Sequence, residues 1–328
     1  MPTFQDLIAE NRRNSILLVL GFVVLVALTV YVFAVALIGD SPRDGLVPAV
    51  IALVVAGFLA LWSLYGGAGA ILGMSGAREI RKEDDPQLWN VVEELSIAGG
   101  VPMPRIYRIE DTALNAFATG RDPAHAAVAI TTGLREKLDR NELQGVLAHE
   151  LSHVRNFDIR FAMLLAVLVG FLVLLADVFR RWVFWGGAGG SRRRRSSSDR
   201  GGGAGTAIFL IFAVVLSIIA PILAKLIQLA ANRQREYLAD ASAVELTRYP
   251  DGLASALEKL GNDKEVLEVA NRATQHLYIV NPFRPFEDRA RGLFSTHPPL
   301  EERIRRLRAL DRSGPPSGTS RTRTTTEG

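Results

Sequence analysis

The sequence predicts a mainly helical α+β protein that crosses a membrane several times and folds the rest of its chain into one water-exposed domain. Three observations lead there. The 328 residues are 48% hydrophobic and their mean hydropathy is positive, +0.18, so the apolar excess sits in concentrated runs rather than in an ordinary core. Two longer polar stretches, 73–160 and 232–312, alternate with those runs. The chain also has no cysteine, which excludes disulfide scaffolds, thiolate metal sites, iron–sulfur clusters and thiol nucleophiles.

The first run, Ile16 to Ile38, lies in a charge-free stretch from Asn14 to Gly39 and is long enough to cross a bilayer as a helix. Ala34-Val35-Ala36 is similar to a signal-peptidase site, but the run is longer than a secretory core and reads as a retained span. The second run, Leu46 through Leu72, is also uncharged, and Asp40 to Gly45 form the polar turn of a helical hairpin over residues 1–72. The third, Phe161 to Ala176, is shorter and meets Asp177, Arg180 and Arg181, which makes it a marginal span. The fourth, Thr206 to Ala224, continues past Lys225, a residue able to snorkel to an interface. Together the last two form a second hydrophobic hairpin, 161–231, around a Gly, Ser and Arg-rich stretch, 186–205, that cannot build a core. The tail, 313–328, has the composition of a disordered segment. Residues 73–160 and 232–312 then make the two parts of one compact domain, split by that hairpin.

Asp139-Arg140-Asn141-Glu142 opens a helix, with a capping residue, an acid in the first turn and Leu143, Val146, Leu147 and Leu151 following at helical spacing. On it lie His149-Glu150-Leu151-Ser152-His153. Positions four apart share a helical face about 6 Å apart along the axis, so both imidazoles can reach one tetrahedral zinc ion. Glu150 stands off that line, where it can take a proton from a metal-bound water.

Two histidines do not complete a catalytic metal site. Without cysteine a carboxylate is the favoured third ligand, and Glu236 in Arg235-Glu236-Tyr237-Leu238-Ala239-Asp240 is the best candidate. Glu236 and Asp240 are again four apart, so Asp240 can fix a ligand imidazole through its second ring nitrogen. The alternative for this pair is a solvated helix face. His125 and His276 have no such partners in the sequence and read as structural or surface residues.

Two hydrophobic segments, Asn115-Ala116-Phe117-Ala118-Thr119-Gly120, the H-E-x-x-H run, a second hydrophobic pair, Arg235 to Asp240 and then His297-Pro298-Pro299 follow one another in an order that resembles the HtpX-type membrane zinc metalloproteases, gluzincins related to the CAAX prenyl protease. The resemblance covers about residues 10 to 310. It implies a zincin-like cytoplasmic metalloprotease domain carrying a small β-sheet, with one zinc ion per subunit held by His149, His153 and Glu236. Glu150 is then general base and acid, and Asp240 orients His149. It further implies that Asn115, Ala116 and Phe117 begin an edge strand of the cleft that pairs with an extended substrate, Asn115 contacting the peptide near the scissile bond. From the residues alone, a plain internal strand is the alternative. His297 is implied as an oxyanion stabiliser and Arg303 as a brace of the site; read without the resemblance, the segment from Thr296 is a helix start whose histidine is incidental.

If His149, His153 and Glu236 bind one ion, the chain between them crosses the membrane an even number of times. Arg12, Arg13, Arg78, Arg81 and Lys82 flank the first hairpin against Arg43 in its turn, which places the catalytic domain in the cytoplasm of a cell-membrane protein. Arg180, Arg181, Arg192, Arg193, Arg194, Arg195 and Arg200 oppose two crossings by the second hairpin, so a re-entrant or interfacial hairpin meeting anionic lipid is the other topology. No motif around this cluster points to nucleic acid.

The expected function is therefore a zinc-dependent endopeptidase in the membrane, cutting membrane proteins or their cytoplasmic loops, with quality control under stress as the role the resemblance implies. Processing of a lipidated peptide is a rival within the enzyme class. A membrane scaffold or transporter with a structural metal is the rival outside it, and an intact Glu150 speaks against that reading, because a structural site needs ligands but no acid–base residue.

Overall fold

The computed structural model describes residues 4–37, 41–181, 233–263 and 298–312. The fourth apolar run, the stretch 186–205, His276, His297 and the tail 313–328 lie outside them.

The first hairpin consists of α1 (Phe4–Leu37) and α2 (Leu46–Met74), joined through a 3-10 turn at Pro42–Gly45. Ser41 caps the turn by accepting from the Arg43 N–H, and Asp44 accepts from the Ser41 N–H in return. Glycine is required at 45, where a Cβ would lie 2.5 Å from Val35 and 2.7 Å from Tyr31. Up to Gly67, the buried residues of α2 are all small: Ala52, Ala56, Ala60, Ser63 and Gly67. That seam lets α1 and the later helix α6 (Asp158–Arg181) approach closely, the packing that serves helices where no hydrophobic effect separates them from their surroundings. The opposite face is apolar and exposed, from Leu46 to Tyr65. By length and composition, Arg13–Tyr31 and Pro42–Met74 can each cross a membrane.

The part beyond the hairpin is built on a four-stranded sheet of order β1-β2-β4-β3, with β1 Arg78–Glu79, β2 Arg105–Ile109, β3 Ala116–Gly120 and β4 Ala126–Thr131. β2 and β4 are parallel, and β1 and β3 run antiparallel to their neighbours. Side chains alternate between two buried layers. Ile106, Ala116, Ala118, Val128 and Ile130 face α3 (Pro86–Gly99) and α5 (Arg140–Arg155). Tyr107, Phe117, Ala127 and Ala129 face the end of α2 and α6 (Asp158–Arg181). Because both faces are covered, β3 and β4 are buried throughout and read as continuous apolar runs.

Between β4 and α5 lies the short helix α4 (Thr132–Lys137). Residues 233–247 form α7, followed by α8 (Pro250–Asn262) and α9 (Leu300–Arg312). Pro298 and Pro299 precede α9 rather than opening its first turn, and the Pro299 carbonyl accepts from the N–H groups of Glu302 and Arg303.

α2 passes through position 72/73 and α6 through 160/161 without interruption. Ile71 and Leu72 of α2 and Met163 and Ala166 of α6 pack on the sheet, so the apolar helices and the sheet share one core. The third apolar run is thus the continuation of a helix that starts at Asp158, beside the H-E-x-x-H motif.

Candidate metal and active site

Asp139 caps α5 by accepting from the N–H groups of Asn141 and Glu142, while the Glu142 carboxylate accepts from the Asp139 N–H. Lys259 of α8 donates to the same carboxylate at 2.6 Å. α5 and α8 cross with their backbones in contact: a Cβ on Gly145 would lie 2.6 Å from the backbone nitrogen of Leu253. This fixes the helix one turn before His149.

His149 and Glu150 are buried, at 1% and 2% exposure, and His153 is half-buried. The Nε2 atoms of the two histidines converge to 3.3 Å. Glu236, from α7, brings Oε2 to 3.5 Å from His149 Nε2 and Oε1 to 3.7 Å from His153 Nε2. A tetrahedral zinc with bonds of about 2.0–2.1 Å has ligand-to-ligand edges of about 3.3–3.4 Å. The donor set and its spacing therefore fit one zinc ion, and His149, His153 and Glu236 form the metal-competent group found among the described residues.

The far nitrogen of each imidazole is held by a carboxylate. His149 Nδ1 lies 3.0 Å from Asp240 Oδ1, and His153 Nδ1 lies 3.1 Å from Asp158 Oδ2. Arg303, from α9 and fully buried, donates to both oxygens of Asp240 and also lies 3.3 Å from Glu236 Oε2. Burial opposes a charge on His149, but the hydrogen bonds to Asp240 and Glu236 outweigh both burial and the nearby Arg303 and hold its pKa up at about 9. Burial likewise pushes Asp240 up, yet Arg303 and His149 outweigh it and bring it down to about 2. Asp240 is thus a permanent acceptor for His149.

Glu150 is not part of the ligand cluster. Burial raises its carboxyl, the two neighbouring histidines oppose that, and its contact with the Ala118 backbone N–H ties it to the sheet. The connection has a simple cause in the register. The Thr131 N–H donates to the Asn115 carbonyl while the Asn115 N–H donates to Thr131 Oγ1, and alternation from this pair turns the N–H and C=O groups of Ala116, Ala118 and Gly120 away from β4. Among the described residues β3 is an edge strand, and Glu150 lies on its outer side. Asn115 is buried, and its Oδ1 accepts from the Ala116 N–H.

The structure thus brings His149, Glu150, His153, Glu236, Asp240 and Arg303 together, with Asn115 to Phe117 at the start of the adjoining edge strand. His125 is exposed, paired with Asp122 and outside this cluster. Sequence reasoning missed Asp158. α5 ends at Arg155, Phe157 takes a left-handed conformation with φ of 61°, and α6 starts with Asp158 turned back toward His153. Asp158 Oδ1 also lies 3.7 Å from Arg235 Nε, and the Arg235 guanidinium stacks 4.2 Å over Phe161. An acid that opens the next helix just after an H-E-x-x-H helix was the only available signal.

Two imidazoles and a carboxylate that could hold a metal converge beside a buried glutamate and a strand that is at the sheet edge among the described residues, the arrangement expected of a metalloprotease. The comparisons agree: the profile of peptidase family M48 matches residues 82–311. The chain belongs to peptidase family M48. A protease HtpX homolog of Listeria monocytogenes is 43% identical over 301 residues, covering 92% of this chain and 97% of that protein. The protease HtpX homolog of Dictyoglomus thermophilum is 42% identical over 308 residues, covering 94% and 95%. The crystal structure of S. mikatae Ste24p aligns at 22% identity with a TM-score of 0.49, over 86% of this chain and 62% of that one.

Proposed function

We propose that the protein is a membrane-bound, zinc-dependent endopeptidase that hydrolyses membrane proteins or their cytoplasmic loops, in the service of membrane-protein quality control. The observation that carries the reading is the convergence of His149, His153 and Glu236 at tetrahedral-edge distances, next to a glutamate in contact with a sheet edge. Zinc held by these three residues would supply a more acidic water and polarise the scissile carbonyl. Glu150 takes the proton of the attacking water and returns it to the leaving amine, a task suited to a buried carboxyl beside the ligand cluster whose pKa burial raises above the ordinary glutamate value. Asp240 and Asp158 keep the Nε2 atoms of the histidines aimed at the ion, and Arg303 keeps Asp240 in place. The outward N–H and C=O groups of Ala116, Ala118 and Gly120 pair with an extended peptide. Asn115, now hydrogen-bonded to the Ala116 N–H, sits where it can release that group to substrate.

The membrane reading rests on the two apolar helices with an exposed face, and the cytoplasmic orientation on the basic residues flanking them. Glu150→Ala tests the mechanism. The purified variant is expected to retain about one zinc per chain, measured by elemental analysis, and to lose cleavage of casein by at least a hundredfold. Cleavage that persists in the variant removes Glu150 from the mechanism, and wild-type protein that is active but zinc-free removes the metal.

A further inference from the structure

The exposed apolar band of α2 runs from Leu46 to Tyr65, and beyond it Ile71 and Leu72 are covered by the sheet and α6. At 1.5 Å per residue the band is about 29 Å tall, close to the hydrocarbon thickness of a bilayer, about 30 Å. Trp62 and Tyr65 form its rim, 47% and 71% exposed, and such side chains favour the headgroup level.

The β3–β4 turn reaches this rim. The Arg121 guanidinium lies 4.9 Å from the centre of the Tyr65 ring. Asp122 holds the turn in shape, accepting from the His125 N–H at 2.9 Å and facing His125 Nδ1 at 2.6 Å and Arg121 Nε at 3.4 Å. Ala124 and His125 point to the outside. Arg121 is half-buried, its Nη2 2.6 Å from His125 Nε2, and at the same end of the sheet Arg105, paired with Ala127, adds an exposed cation.

We propose that the turn 120–126 is a lipid-contacting surface that rests on the phospholipid headgroup layer, with Arg121 as the group that meets lipid phosphate. A consequence for the reaction rests on the peptidase reading of the site. Ala118, the residue in contact with Glu150, precedes Arg121 by three residues, about 10 Å of extended strand. A chain leaving the bilayer beside Tyr65 reaches Glu150 after about three extended residues. The substrate class is then polypeptide that has just emerged from the membrane, cut close to its exit point.

The test uses the full chain, in which no native cysteine interferes. Ala124→Cys, Glu136→Cys and Phe58→Cys are each labelled with a fluorophore and reconstituted in phosphatidylethanolamine–phosphatidylglycerol vesicles containing headgroup- or acyl-chain-spin-labelled lipid. β4 leads away from the turn to α4, so Glu136 marks the far end of the sheet. Headgroup spin labels are expected to quench position 124 several-fold more than position 136, and equal quenching overturns the proposal. Arg121→Glu is expected to at least halve quenching at 124 while casein cleavage in detergent stays unchanged; quenching unaffected by this change overturns the role of Arg121. Depth is read without any peptidase activity, so an inactive protein with a quenched 124 label refutes only the peptidase reading. Absence of acyl-chain quenching at 58 refutes the membrane placement and this proposal with it.

Discussion

Arg303 grips Asp240 with two parallel hydrogen bonds, Nε to Oδ2 at 2.9 Å and Nη2 to Oδ1 at 2.7 Å, across 63 positions of sequence. Asp240 in turn holds His149, so a residue of α9 sets the orientation of an imidazole on α5. Breaking a buried pair strands the remaining charge, at a cost of about 3–5 kcal/mol. Arg303→Ala is expected to lower stability by that order in a denaturation series in detergent. Arg303→Lys, which keeps the charge but loses the fork, should fall between it and the wild type. A midpoint for Arg303→Ala equal to that of the wild type would make the pair incidental.

Asp158 is the corresponding support of His153. Loss of such a partner commonly weakens metal binding by about 10- to 100-fold. Asp158→Ala is expected to show a loss in that range in a competitive chelator titration, with the helical circular dichroism retained. Unchanged zinc affinity would separate Asp158 from the metal site.

Gly145 brings α5 against the backbone of Leu253. No side-chain rearrangement makes room for a Cβ there, because the opposing atoms are main chain, so Gly145→Ala must push α5 and α8 apart. Overpacking of this kind costs about 1–3 kcal/mol. The variant should melt at lower temperature and lose activity beyond its loss of folded protein, since His149 follows one turn later. Wild-type stability in the variant would contradict the close crossing.

Asp85 caps α3 and accepts two hydrogen bonds from Arg135. Burial raises its carboxyl, but Arg135 and the Leu88 N–H outweigh burial and hold the pKa below the ordinary carboxylate value. A depressed folded-state pKa gives stability that is present above about pH 4, the unfolded value, and is lost as pH falls through the folded one. Asn can still cap the helix, so Asp85→Asn removes mainly the charge. Its deficit, at most about 1 kcal/mol, should be constant from pH 8 to 5 and vanish in more acidic solution. A deficit that persists at pH 2 would assign the effect to something other than the charge.

The converging side chains were legible because each pair lies within one helix, where spacing alone fixes the face: His149 with His153, and Glu236 with Asp240. The capping signal at Asp139 was legible for the same local reason. Asp158 was not, since its approach to His153 depends on a left-handed Phe157 that no simple propensity predicts. The sheet order could not be read either, because β2 pairs in parallel with β4 rather than with β3, the next strand in sequence, and the partner of each strand is set by tertiary packing. The apolar runs were found as runs, but hydropathy could not reveal that the ends of α2 and α6 line the core beneath the sheet. In each case the hidden part is a contact between segments distant in sequence or separated by a turn.

The second histidine and the carboxylate that completes the donor set stand at 153 and 236, and the arginine that steadies them stands at 303. During synthesis at about 5–20 residues per second, roughly 8 to 30 s separate the emergence of His153 from that of Arg303. Glu236 emerges a little past the middle of that interval, so the three converging donors precede by many seconds the arginine that holds Asp240 against His149. The geometry of the cluster is thus set by the last helix to be made, not by the segment that carries the two histidines.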